Sequence, residues 1–276
     1  MREKQINSLQ QRLLNSHNLF EGDITFFDGH IQRITYEQFK QYQPDTNDAN
    51  MIQAQLNNNM MVEEELNIDV LAYYISPHVS QEDFGIYFNE GGINWLALYL
   101  ENKINNNPMG RFFMNIPHGQ KTEQEIFRDL INIAKKILLR HELGHYAIDY
   151  SLTQCNTMNS NDYHQFRRER ERQDILLDES ICNANVLRKQ LKIFNSFPMR
   201  PKIGFSLSLN LFCNEFMDSQ PEQYREYRQF MTLSYNETCV DALNSIIGVN
   251  FNKTDFNEAI KEKSAMLIPL YMVRKQ

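Results

Sequence analysis

The sequence predicts an α+β fold in which a small twisted sheet lies against one long helix and the last third of the chain is helical. Three observations carry this. Ile126, Leu130, Ile133, Ile137, Leu138 and Ile148 recur at helical spacing, behind a Thr122-x-x-Glu125 pattern that matches a capping box. Short segments rich in aromatic and branched residues precede that helix, at Phe84–Phe88, Ile93–Leu100 and Arg111–Ile116. After Tyr163 the chain keeps a helical flavour, with breaks at Phe197–Pro201, Ser219–Pro221 and Gly248.

Taken in order, Ile6, Leu9, Leu13 and Leu14 suggest a first helix. Ile24–Phe27 and His30–Ile34 flank Asp28-Gly29, a pair suited to a tight hairpin turn. Thr35 can cap a short helix through Phe39, and Gln41–Asn50 has linker composition, dividing an N-terminal subdomain (1–50) from the main domain (51–276). A helix is expected from Met51 to Tyr74, stopped by Ser76-Pro77. Ile93–Leu100 reads as a strand or as a helical turn or two. Pro117-His118-Gly119 breaks the chain before the long helix, and a further helix is expected from Tyr163 to Lys192.

With 42% hydrophobic and 23% charged residues, the chain can bury a real core. Its formal charge of −7 argues against a protein built to hold nucleic acid. No apolar stretch is long enough to span a bilayer, and the start lacks the apolar run of a signal peptide. Cys155, Cys182, Cys213 and Cys239 lie far apart with no Cys-x-x-Cys, as free thiols in a reducing compartment would. The expected location is therefore the cytoplasm, or a target reached by a secretion route that needs no signal peptide.

The chemistry lies late in the capped helix, in His141-Glu142-Leu143-Gly144-His145. Residues four apart face the same way, so both imidazoles can reach one metal ion. Zinc accepts such nitrogens at about 2.0–2.1 Å and, with a third protein ligand, leaves a position for water. Glu142 stands beside the first ligand and suits a general base for that water. Gly144 relieves crowding near the metal. Together these imply a zinc-dependent endopeptidase acting on a protein or peptide substrate.

The third ligand sets the subclass. The positions where the metzincin pattern HExxHxxGxxH carries its glycine and its later ligand hold Ile148 and Ser151, so that class is rejected. The next helix offers Asp178-Glu179-Ser180-Ile181-Cys182-Asn183, of which Glu179 is the preferred ligand, with Asp178, Asp174 and His164 as alternatives. Here the sequence resembles the gluzincins, in which a glutamate some tens of residues downstream completes the site. His141–Tyr150 (HELGHYAIDY) looks like the active-site helix of the lethal-factor type, and Glu179–Leu187 is similar to the glutamate helix of phage-immunity metalloproteins. The resemblance covers about fifty residues, Ile131 to Leu187. It implies a zincin-like fold and a support for a zinc-bound histidine at Asn183. One departure is that the usual alanine does not directly follow Glu179.

A peptidase also needs an oxyanion donor. No histidine follows His164, whereas Tyr224 and Tyr227 do, and lethal-factor-like enzymes are similar in using a tyrosine. Arg111–Asn115 stands where an edge strand would receive an extended substrate. The mixed-charge run His164–Arg172 reads as a solvated helix face. Two other readings stand beside the peptidase: a non-catalytic zincin scaffold that regulates or binds, and a delivered effector or toxin protease acting on one host protein.

Overall fold

The computed structural model describes residues 31–45, 68–77, 82–106, 122–153, 174–194, 212–218, 220, 222–232, 234–247 and 253–274. These residues are mostly helical, with one four-stranded sheet.

The first described element, β1 (Ile31–Ile34), runs straight into α1 (Tyr36–Gln41). Thr35 caps that helix reciprocally: its hydroxyl accepts from Gln38 N, and Gln38 Oε1 accepts from Thr35 N at 2.8 Å. The expected hairpin partner, Ile24–Phe27, and the expected first helix lie outside the described residues, as does the boundary at residue 50. Tyr42 and Asp45, within the expected linker, bond to Glu90: the Tyr42 hydroxyl and the Asp45 N–H both donate to Glu90 Oε1.

The short helix α2 (Ile68–Leu71) leads directly into β2 (Ala72–Ile75). This corrects the expected helix through Tyr74. Tyr73, Tyr74 and Ile75 are strand-favouring side chains, and β2 pairs antiparallel with β3 (Gly85–Asn89), where the Tyr73 and Tyr87 rings stack at 4.8 Å. Asn89 then turns the chain into helix α3 (Glu90–Asn106), its Oδ1 accepting from Gly91 N at 3.1 Å in the manner of an N-cap.

Helix α3 takes in Ile93–Leu100, so these residues form no strand. A fully buried apolar run has no polar face to reveal its period. Gly92, just before it, allows close packing. A Cβ on Gly92 would lie 2.8 Å from Leu71 Cα, so only glycine lets α3 approach α2 this closely.

The longest described helix, α4 (Glu123–Thr153), begins as expected. Glu125 N donates to Thr122 Oγ1, and Thr122 N donates to Glu125 Oε2 at 2.8 Å. It packs against α3 on one side and α5 (Asp174–Phe194) on another. The remaining described elements are a helix over 212–218, a 3₁₀ helix (Glu222–Phe230), α6 (Tyr235–Ile247), α7 (Lys253–Ala259), a second 3₁₀ helix (Glu262–Leu267) and β4 (Tyr271–Arg274).

The last third is mostly helical among the described residues, as expected, and β4 adds one strand to it. This strand enters the sheet between β1 and β3 in the order β1-β4-β3-β2, antiparallel to β1 and parallel to β3. The sheet is thus assembled from both ends of the chain. The third expected strand, Arg111–Ile116, lies outside the described residues.

One core runs through these layers, joining Phe88 and Ile86 of the sheet to Leu96 and Leu100 of α3, Leu130, Leu138 and Leu143 of α4, and Ile181 and Leu187 of α5. Phe39 stacks on Phe88 at 4.1 Å and ties α1 to it. Lys135 of α4 reaches the same place, donating to the carbonyls of Phe39, Lys40 and Tyr42 at the end of α1. Cys182, Cys213 and Cys239 are buried thiols. Among the described residues no helix is long and apolar enough to cross a membrane.

Candidate metal centre

Two helices build the site, and a glycine sets their separation. Gly144, between the two histidines of α4, faces Cys182 of α5. A Cβ there would lie 2.6 Å from Cys182 Sγ and 2.9 Å from its Cα. The crowding that Gly144 relieves is therefore against the backbone of the neighbouring helix. With α4 and α5 this close, the short reach of a glutamate is enough to bring its carboxylate to both imidazoles.

His141 Nε2 lies 3.2 Å from Glu179 Oε2, His145 Nε2 lies 3.5 Å from Glu179 Oε1, and the two Nε2 atoms are 3.2 Å apart. One ligand atom from each of the three residues falls within 4.8 Å of the others, a group that could hold a metal ion. His141 is fully buried, and His145 and Glu179 nearly so.

The outward nitrogens are also engaged. His141 Nδ1 is 3.0 Å from Asn183 Oδ1, and His145 Nδ1 is 3.3 Å from Asp178 Oδ2. An oxygen acceptor at Nδ1 calls for the proton on that nitrogen, which leaves the Nε2 lone pair aimed at the centre. Two such nitrogens and a carboxylate at this spacing call for positive charge among them, which a bound metal ion would supply. The donor set, two imidazole nitrogens and one carboxylate oxygen, fits zinc. Burial lowers the pKa of His145, but the Glu179 and Asp178 carboxylates outweigh it and raise the value to about 9.

The structure therefore brings together His141, His145 and Glu179, and sets Asn183 behind the first histidine. It places Asp178, weighed from sequence as a ligand, behind the second. Adjacency to Glu179 was the available signal for Asp178, but its role depends on how α5 is rotated against α4. Glu142 is buried beside His141.

Of the tyrosine candidates, Tyr224 has its side chain outside the described residues. Tyr227 is buried and its hydroxyl donates to Asp218 Oδ1 at 2.8 Å, so its single proton is engaged there. Burial pushes that phenol up to about 12. Tyr235, a third tyrosine of this region, donates to Ile181 O at 2.9 Å. His118, His164 and Arg111–Asn115 lie outside the described residues, as does the side chain of Asp174.

Sequence reasoning did not single out Asp149, one turn after His145 on α4. It is buried and accepts a hydrogen bond from the Tyr74 hydroxyl of β2 at 2.9 Å.

Comparison of the chain with models of known protein families, with curated proteins and with solved structures finds no match.

Proposed function

We propose that this chain is a zinc-dependent endopeptidase with a zincin-like active site of the glutamate-ligated type. The observation that carries the reading is the convergence of His141 Nε2, His145 Nε2 and a Glu179 carboxylate oxygen, with both outward Nδ1 atoms held by oxygen acceptors. Zinc bound there supplies Lewis acidity toward a carbonyl oxygen and makes an adjoining water more acidic. Asn183 and Asp178 hold the imidazoles in the ligating tautomer. Glu142 takes the proton from the attacking water and returns it to the leaving amine.

The test compares three full-length proteins prepared without chelators. Wild type should carry one zinc per chain and His141→Ala should carry none. Glu142→Ala should keep the metal and lose hydrolysis, with substrates read by labelling of new protein termini. Wild type without zinc overturns the reading.

A second reading, a non-catalytic zincin scaffold, draws on the burial of Glu142, which is only 1% exposed. The same comparison separates the two. A scaffold binds zinc, yet yields the same termini in wild type and Glu142→Ala.

A further inference from the structure

His141, His145 and Asp149 stand at successive four-residue steps of α4 and so share one face of that helix. Asp149 is 2% exposed, between the core residues Ile148 and Leu152. A carboxylate at such depth is costly unless it is hydrogen-bonded, and an apolar residue would satisfy the core at less cost. Its oxygen is held by Tyr74 Oη at 2.9 Å. Tyr74 belongs to β2, which packs on α4, and its ring meets Tyr146 edge-on at 6.1 Å. Tyr146 directly follows His145. These two contacts of Tyr74 thus fall just after the second ligand, one on the adjacent residue and one a turn further along.

From this geometry we infer that Tyr74 and Asp149 are a positioning pair, which fixes the HExxH stretch of α4 against strand β2 and so holds His145 at its place in the metal centre. The inference rests on the metal site proposed above. Its function is geometric, and stability and geometry can be separated. Replacing both partners of a buried polar pair by apolar groups of similar shape is close to neutral for folding. Such a replacement removes the directional tie.

The experiment uses the full chain, Co²⁺ as the probe ion, and three proteins: wild type, Tyr74→Phe/Asp149→Leu and Asp149→Asn. Co²⁺ binding is followed by its visible absorption, and folding by denaturation of the metal-free proteins. The double variant should unfold at the wild-type midpoint or above it. It should bind Co²⁺ about tenfold more weakly, the lower end for residues that orient ligands, with shifted absorption bands. Asp149→Asn keeps an oxygen acceptor for Tyr74 and should retain wild-type affinity and bands. Wild-type affinity and bands in the double variant overturn the inference while leaving the metal site standing. So does a loss of affinity matched by an equal loss of folding stability. Absence of any Co²⁺ spectrum in wild type overturns the metal reading itself.

Discussion

The Nε2 atoms of His141 and His145 face each other at 3.2 Å, and what keeps them there lies behind each ring. An amide oxygen backs one ring and a carboxylate the other. Removing either partner should free the ring to turn and the Nδ1 proton to move. Asn183→Ala and Asp178→Ala should each weaken zinc binding by about 10- to 100-fold while leaving the ligands in place, as competition titrations against a zinc chelator would show. The two histidines were legible in the sequence because helical period alone puts His141 and His145 on one face. Glu179 was legible as a chemical type. The partnership of Asp178 with His145 was hidden, since residues 178 and 179 are neighbours on one helix and only the rotation of α5 decides which reaches the centre. Asp149 was hidden for the same reason, its partner being on a strand 75 residues away in sequence.

At the level of elements, the site depends on how closely α4 and α5 approach. Gly144 and Cys182 mark the contact, and the obstacle to a larger residue at 144 is the Cys182 backbone as well as its flexible side chain. Gly144→Ala should therefore force the helices apart despite the better helix propensity of alanine. A destabilisation of about 1–3 kcal/mol is expected from such overpacking, read by denaturant unfolding. Zinc affinity should fall with it, because Glu179 rides on α5. Unchanged stability with unchanged affinity would show that the two helices close by another route. The glycine was visible in the motif, but its reason was not, since the sequence does not say which surface it meets. The same gap explains α3. Its apolar run carries no period, and the close fit of Gly92 on Leu71 is a packing contact that the sequence alone does not show.

Across the whole molecule, the sheet is closed by β4 from the far end of the chain, with β1 on its other edge. Strands of four or five residues leave little trace of their partners in sequence, which is why α4 and α5 were legible and this topology was not. The segment from β1 to Asp45 is held to the helical layer by polar contacts with Glu90 and Asn94 on α3 and with Asn132 and Lys135 on α4. Lys135 offers a way to test one of these ties. Its ammonium is buried against the carbonyls that end α1, and burial, with repulsion from Lys136, pushes its pKa down to about 8 from the usual 10.5. A depressed lysine pKa in the folded state means that the unfolded chain binds the extra proton between those values. Stability then rises as pH climbs from about 8 toward 10.5, and is lost as pH falls back through the folded value. Lys135→Met removes that titration and takes its donor away from the carbonyls of Lys40 and Tyr42, while Phe39 O keeps the Tyr42 N–H. It should lower stability, and it should also flatten the slope between pH 8 and 10 relative to wild type, as urea midpoints across that range would show. Parallel slopes for the two proteins would mean that Lys135 keeps an ordinary pKa, with its carbonyl partners compensating fully for burial.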